Sequence, residues 1–195
     1  MSDIVLYGAT GYTGTRVARC LARRGASFSV AGRNRDALEA VGRETGAVAA
    51  HVVESGDAGA LARACGGAAV LVSCVGPFVE HGGTAVEAAL QARVHYVDST
   101  GEASFVRRLI VDHGAPAATA GIAMVPAMGF DEVPADVAAS LAAGDMGGAE
   151  LRLTYALPSG ASSGTIMSAL GILGTRAIFL RAGREVEVPT GGQRR

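Results

Sequence analysis

Three glycines near the start of the chain have a spacing that would let the backbone bind phosphate. They belong to a GxxGxxG motif between a predicted strand at residues 3–7 and a predicted helix at 12–24. Glycine permits a tight turn and a close approach by a pyrophosphate, and free N–H groups at a helix start attract negative charge. A glycine-rich turn without a ligand is the alternative, but the position favours dinucleotide binding. The residues assigned to it are Gly8, Ala9, Thr10, Gly11, Tyr12, Thr13 and Gly14.

The residues after the second predicted strand indicate which dinucleotide is bound. Proteins that use NAD hold the ribose hydroxyls with an acidic residue at this point. Here no acid occurs between Gly14 and Asp36, and the strand is followed by Arg33, Asn34 and Arg35. Guanidinium groups suit the additional 2′-phosphate of NADP. We therefore predict NADP(H) as the cofactor, with Arg33 the better phosphate ligand; solvated surface arginines are the alternative.

Two further segments are expected to reach the cofactor. Asp57, which follows the third predicted strand, could accept a hydrogen bond from the adenine amino group, cap the next helix, or do both. The loop after the fourth strand should approach the nicotinamide, because loops after strands one and four meet in an open parallel sheet. An ordinary turn before a helix is the alternative. The loop residues assigned to the cofactor are Cys74, Val75, Gly76, Pro77 and Phe78.

The rest of the sequence predicts the sheet that these residues need. Apolar strand patterns and amphipathic helix patterns alternate up to residue 143, and this alternation predicts an α/β fold: a Rossmann-like, doubly wound parallel sheet. The predicted strands are 3–7, 27–31, 48–53, 69–74, 94–97 and 122–126, and the predicted helices are 12–24, 35–45, 58–64, 84–92, 103–113 and a last one from the cap Asp131 to 141.

The composition changes after Gly144, where we place a domain boundary. Residues 144–195 have a predicted strand at 150–157, a short helix at 165–173 and a strand pair at 177–189. We expect this segment to be the beginning of a second α/β domain, used for substrate binding or dimerisation. Its strands would leave unpaired edges, so a homo-oligomer or a partner chain is expected.

Composition excludes several classes of protein. All 17 basic residues are arginine, so the chain lacks the lysine of Schiff-base enzymes, of the Walker A motif and of the Tyr-Lys short-chain dehydrogenases. The 17 basic and 18 acidic residues alternate and give a net charge of −1, which argues against nucleic-acid binding. Neither the four histidines nor the three cysteines match metal-ligand spacing, so no metal is expected.

Hydropathy and cysteine content indicate where the protein works. The chain is 49% hydrophobic and 18% charged, which suits a packed core. The uncharged stretch 153–175 contains Pro158 and four glycines and is too broken to cross a membrane. An odd number of cysteines and a start without a signal peptide lead us to expect a cytoplasmic protein with reduced thiols.

Five segments together resemble the saccharopine dehydrogenase-like oxidoreductases. They are GATGYTG at 8–14, AGRN at 31–34, SCVGPF at 73–78, YVDSTGE at 96–102 and GFDEVPAD at 129–136. The pattern is most similar to the bacterial trans-acting enoyl reductases, which reduce double bonds in polyketide-derived lipid chains with NADPH. The resemblance implies a Rossmann cofactor domain, a second α/β substrate domain, phosphate-binding glycines at Gly8, Gly11 and Gly14, and a nicotinamide loop at 75–78. Members of this family are considerably longer, which implies that the substrate domain is incomplete here.

The function expected from these features is NADPH-dependent reduction of an enoyl, keto or imine group on an apolar, lipid-like small molecule. Such a reaction needs a proton donor beside the cofactor. The candidates at or near strand ends are Tyr96, Asp98, Glu102 and His81, although each could be a cap, a turn former or a core residue. The uncharged stretch 153–175 could line the substrate pocket. A non-catalytic NADP(H)-binding module, acting as a sensor or subunit completed by a partner chain, is the alternative.

Overall fold

Six parallel strands form the central sheet of the protein. The computed structural model describes residues 2–130, 132–144, 150–155, 176–181 and 184–189. The strands of the sheet are β1 (Ile4–Tyr7), β2 (Phe28–Gly32), β3 (Ala50–Val52), β4 (Val70–Ser73), β5 (His95–Asp98) and β6 (Met124–Val125). Their order is β3-β2-β1-β4-β5-β6 and every neighbouring pair is parallel. This is the Rossmann order, in which the direction of winding changes between β1 and β4. The predicted fold class is confirmed.

Helices cover both faces of this sheet. They are α1 (Tyr12–Arg23), α2 (Arg35–Thr45), α3 (Ala58–Ala64), α4 (Phe78–Ala92), α5 (Ala103–Ala120) and α6 (Val133–Ala143). Because parallel neighbours are in register, Val5, Leu71 and Tyr96 share one face, and they form a buried cluster with α3, α4 and α5. Leu6 and Val30 share the other face with α1 and α2. The central strands β1 and β2 thus bury both sets of their alternating side chains, which explains their largely apolar sequences.

Two helices are longer than the sequence predicts. The fourth was expected at 84–92 but begins at Phe78, and it continues through Gly82, where the missing side chain makes room for α5. A Cβ atom on Gly82 would lie 2.5 Å from the ring of Phe105. The fifth was expected to end at 113 but contains Pro116 and continues to Gly121, which adopts a φ of 71°. Packing between the helices and a left-handed glycine cap therefore outweigh the expected helix breakers.

The segment after residue 143 agrees with the predictions only in part. Residues 150–155 contain no strand and pair with none of the described strands. The predicted strand at 150–157 is therefore wrong over residues 150–155. The strands β7 (Arg176–Arg181) and β8 (Arg184–Pro189) are antiparallel and confirm the predicted pair. The predicted cap Asp131, residues 156–157 and the helix at 165–173 lie outside the described residues, and the domain boundary stays a prediction. Among the helices of the described part, none has the length and apolarity needed to cross a bilayer.

Candidate dinucleotide-binding site

A cavity of about 250 Å³ opens at the carboxyl edge of the sheet, where the loops after β1 and β4 meet. The loops after β2 and β3 and the first turns of α4 complete its wall. Its lining contains much of the predicted cofactor site, together with His81. The lining residues are Tyr7, Gly8, Thr10, Gly11, Gly32, Arg33, Ser55, Gly56, Cys74, Val75, Gly76, His81 and Thr84.

The three glycines of the motif have different roles in the loop. Gly8 has a φ of 81°, and a Cβ atom on it would lie 2.7 Å from Cγ2 of Val75. A Cβ atom on Gly14 would overlap the carbonyl oxygen of Gly8 and lie 2.8 Å from Cα of Ala9. The nearest atom to a Cβ on Gly11 is at 3.4 Å, and Gly11 lines the cavity. Gly8 and Gly14 are therefore required by the chain itself, whereas Gly11 leaves space for a ligand.

The start of α1 differs from the starts of the next two helices. The side chain of Asn34 caps α2 by accepting a hydrogen bond of 3.0 Å from Ala37 N, and that of Asp57 caps α3 by accepting one of 2.7 Å from Ala60 N. The cap position of α1 is Gly11, which has no side chain, and the first turn of α1 contains no acid. The N–H groups at the start of α1 and the helix dipole are thus available to an anion, as pyrophosphate binding requires.

The first turn of α4 is capped by a residue from a different loop. Both carboxylate oxygens of Glu102 accept hydrogen bonds there, one of 2.9 Å from Phe78 N and one of 2.8 Å from Val79 N. Glu102 is 5% exposed. The helix start nearest the loop after β4 is therefore neutralised by a buried carboxylate, in contrast to the uncapped start of α1.

Several residues predicted to bind the cofactor do not line the cavity. Asn34 and Asp57 are helix caps, which for Asp57 was one of the two predicted roles. Phe78 is buried and its ring lies 5.7 Å from that of Phe105. Contact with the cofactor stays a prediction for this group, which consists of Ala9, Tyr12, Thr13, Gly14, Asn34, Asp57, Pro77 and Phe78.

Other lining residues were missed in the sequence. Tyr7 and Gly32 are the last residues of β1 and β2, and Ser55 and Gly56 follow β3. Their positions at the carboxyl ends of strands are the signal that could have identified them. Burial raises the pKa of the Tyr7 phenol, and the positive charge of Arg33 opposes this shift. The charge of Arg33 therefore has an electrostatic effect on the Tyr7 hydroxyl, at the end of the cavity expected to receive the 2′-phosphate.

Cys74 lines the cavity, and burial affects the acidity of its thiol. Burial raises the pKa of Cys74 to about 11, although a hydrogen bond with Ser99 opposes the shift. The neutral thiol is the dominant form at physiological pH, and the thiolate is the reactive form of cysteine. Cys74 therefore contributes shape and an apolar surface to the β4 loop.

Tyr96 and Asp98, two of the four candidate proton donors, are inside the protein. They are 0% and 1% exposed, so neither can contact a substrate in this structure. Asp98 Oδ1 accepts hydrogen bonds from Thr100 N (2.9 Å) and Ala127 N (3.0 Å), which joins the loops after β5 and β6. Burial raises the pKa of Asp98, and burial together with the Asp98 carboxyl raises the pKa of Tyr96. Their position gives them a structural role.

We expect Asp98→Asn to be more stable than the parent protein at pH 7.5, with a free energy of unfolding higher by about 1 kcal/mol. The folded-state pKa of Asp98 lies above its ordinary value of 3.8, so the stability this group contributes is present below that value and is lost as the pH rises through the folded pKa. Asparagine keeps the acceptor for Thr100 and Ala127 but carries no buried charge. Urea unfolding at pH 7.5 and pH 4.5 should show the advantage of the variant shrinking at the lower pH.

The matched control is Asp98→Ala, which removes the acceptor itself. It leaves two backbone N–H groups without this partner and should cost about 2–4 kcal/mol at both pH values. An Asp98→Asn protein that is less stable than the parent by more than about 1 kcal/mol at pH 7.5 would show that the charge is needed.

The fold and the site define a nucleotide-binding domain of the Rossmann type. Residues 4–125 match the family model described as the saccharopine dehydrogenase NADP binding domain. The chain belongs to this family, and its cofactor is NADP(H). The open start of α1, the cradle that a Cβ atom would fill and the arginine after β2 fit that cofactor.

Curated relatives with enoyl reductase names are similar to this chain. A Mycobacterium tuberculosis protein with the provisional name trans-acting enoyl reductase is 36% identical over 200 residues, covering 96% of this chain and 48% of the relative. The trans-acting enoyl reductase of Mycobacterium ulcerans is 36% identical over 141 residues, covering 69% of this chain and 34% of the relative. A lipid droplet localized protein of Caenorhabditis elegans is 33% identical over 147 residues, with the same two coverages. The chain thus spans about half the length of these relatives or less.

Among solved structures, the fold is similar to that of saccharopine dehydrogenase (L-Glu forming) from Saccharomyces cerevisiae, determined without ligand. The TM-score is 0.59 at 21% sequence identity, over 72% of this chain and 30% of that chain. This likeness supports the Rossmann architecture alone.

Proposed function

We propose that the protein is an NADPH-dependent reductase of an enoyl, keto or imine group on an apolar substrate. The observation that carries the proposal is the cavity at the switch point of the sheet. It joins an uncapped helix start, an arginine after β2 and an exposed histidine in one space. The NADP-binding family and the enoyl reductase names of the relatives support it.

Each part of the cavity has a proposed task. The loop from Gly8 to Gly14 and the start of α1 would hold the pyrophosphate, and Arg33 would hold the 2′-phosphate. The β4 loop at 75–78 would lie against the nicotinamide. NADPH, when bound, supplies the hydride for the reduction. The protein must orient the ring, exclude water and supply a proton.

An apolar groove on the same edge of the sheet supports an apolar substrate. It has a volume of about 400 Å³ and lies between α5 and the loops after β5 and β6. The aliphatic residues Ile110 and Val111 are 62% and 68% exposed there, so the groove presents apolar surface to solvent. Arg107 and Glu132 also line the groove and provide polar groups. We propose that the hydrocarbon part of a substrate lies against this surface; of the stretch 153–175 predicted to line the pocket, only 153–155 are described.

His81 is the proposed proton donor, because it lines the cavity and its side chain is 51% exposed. Of the other three candidates, two are buried and Glu102 is bonded to α4. We expect His81→Gln to lower kcat about 100-fold and to leave the Kd for NADPH within about threefold. Steady-state kinetics and calorimetry measure the two quantities. The control is His113→Gln on α5, and an unchanged kcat in His81→Gln would rule out this role.

The function itself is tested by two measurements on the purified chain. Titration with NADPH, followed by nucleotide fluorescence, tests binding, and loss of absorbance at the nicotinamide band on adding enoyl thioesters, ketones or imines tests turnover. Binding with turnover supports the reductase. Binding without consumption of NADPH with any of these acceptors favours the alternative, a module that holds NADP(H) for a partner.

We also propose a cytoplasmic location and association with a second copy or a partner chain. The three cysteines are free in the structure, which suits a reducing compartment. The name of the worm relative refers to lipid droplets, so fractionation should include that compartment as well as the cytosol. Sedimentation of the purified chain tests whether it associates with itself.

A further inference from the structure

Glu102 forms hydrogen bonds through both its carboxylate and its backbone N–H, and these bonds connect parts of the site that lie far apart in sequence. Its carboxylate binds the N–H groups of Phe78 and Val79, 24 and 23 residues earlier in the chain. These are the first two residues of α4, and they directly follow the loop that ends at Pro77. A carboxylate with two backbone donors in a buried position forms strong, directional hydrogen bonds.

The backbone of Glu102 is held in turn by the ends of β5 and β6. Its N–H donates to Thr100 Oγ1 at 3.0 Å, and Thr100 N donates to Asp98 Oδ1 at 2.9 Å. The same oxygen accepts from Ala127 N in the loop after β6. Thr100 is 0% exposed. The carboxylate is therefore fixed relative to the sheet, and it transmits that position to the start of α4.

We propose that Glu102 is a positioning residue for the nicotinamide half of NADP(H), an inference that rests on the proposed assignment of the β4 loop to that half. The loop leaves the sheet at the end of β4, and its far end enters α4 at Phe78. The sheet holds the first end, and Glu102 holds the second. Cys74, Val75 and Gly76 line the cavity between these two fixed points.

The phosphate and adenosine end of the cavity is built by other elements. The hydrogen bonds that hold Glu102 lead to α4 and to the loop after β5, whereas the loop after β1, the start of α1 and Arg33 are separate elements of the site. Loss of the carboxylate should therefore affect the two halves of the cofactor differently. If Glu102 had a purely structural role, loss of its carboxylate would weaken the binding of both halves of the cofactor together.

The test is Glu102→Gln, measured with NADPH and with adenosine 2′,5′-bisphosphate, which has the 2′-phosphate but no nicotinamide. The amide has one acceptor oxygen, and its NH₂ group would face the second backbone N–H. We expect the Kd for NADPH to rise about tenfold and the Kd for the bisphosphate to change less than about twofold. The emission of bound NADPH should shift toward that of the free nucleotide, because the ring is less well enclosed.

The matched control is Glu87→Gln, the same substitution at an exposed position of α4, which should alter neither Kd. Thr100→Val is the second variant, because it keeps the shape of Thr100 but removes the acceptor for Glu102 N. It should move the ratio of the two Kd values in the same direction, by about threefold, and it decides the question if Glu102→Gln does not fold.

The outcomes separate this inference from the function on which it rests. Failure of the parent protein to bind NADPH overturns the proposed function. If the parent binds NADPH and the variants weaken both ligands equally, or neither, Glu102 has no positioning role and the proposed function still stands.

Discussion

Gly14→Ala should raise the Kd for NADPH at least about 100-fold and lower the free energy of unfolding by about 3 kcal/mol or more. The added Cβ would overlap the carbonyl oxygen of Gly8 and approach Cα of Ala9 to 2.8 Å. Both neighbours are backbone atoms, so no rotamer change can relieve the overlap. The loop and the start of α1 must separate, and the N–H groups proposed to hold the pyrophosphate move with them. Calorimetry with NADPH and urea unfolding measure the two effects.

Two other glycines provide controls for this prediction. Gly11→Ala should leave the unfolding free energy within about 1 kcal/mol, since the nearest atom to its Cβ is at 3.4 Å, yet weaken NADPH binding about tenfold because the methyl group enters the cavity. Gly42 is in α2, and an added Cβ atom there would meet no neighbouring atom within 4 Å. Gly42→Ala should therefore stabilise the protein by about 0.5–1 kcal/mol without changing the Kd for NADPH. A Gly14→Ala protein that binds NADPH normally would show that this loop does not hold the cofactor.

The sheet and the glycine turn that lines the cavity could be predicted because they depend on local sequence. Unbroken apolar runs define β1 and β4, and the glycine spacing defines the turn into α1. The alternation of strands and helices predicts a parallel sheet with crossover helices, whereas the order β3-β2-β1-β4-β5-β6 is known from the structure. Arg33 was predicted to face the cofactor because it directly follows β2, and it lines the cavity.

The roles of Glu102, Tyr96 and Asp98 could not be predicted in this way. The cap that Glu102 gives to α4 joins residues 23 and 24 positions apart, and no local pattern contains that distance. Tyr96 and Asp98 are near the end of β5, which the sequence indicates. The sequence interpretation treated them as accessible because they lie at or near the end of a strand. Their burial depends on segments distant in sequence, such as the loop after β6, where Ala127 N donates a hydrogen bond to Asp98 across 29 residues.

Arg33→Asp should shift the preference of the protein from NADPH toward NADH, lowering the ratio of the two affinities about 100-fold. A charge-assisted hydrogen bond to phosphate contributes about 1.5–3 kcal/mol, which corresponds to about a 10- to 150-fold change in Kd. Within the described part of the chain, Arg33 forms no ion pair. Its guanidinium is therefore available to a phosphate in the cavity that it lines. The aspartate also repels the 2′-phosphate and can accept hydrogen bonds from the ribose hydroxyls of NADH.

The control is Arg35→Asp, which makes the same change of charge two residues later, in the first turn of α2. A general effect of charge on an anionic ligand would weaken NADPH binding by a similar factor in both variants. That effect would decrease as the salt concentration rises. A direct contact at Arg33 predicts a change of about threefold or less in the affinity ratio of Arg35→Asp, at any ionic strength. Equal ratios in the two variants, or no change in Arg33→Asp, would show that the 2′-phosphate is held elsewhere. Because NADH lacks only that phosphate, the difference between the two ratios isolates its contact with the protein.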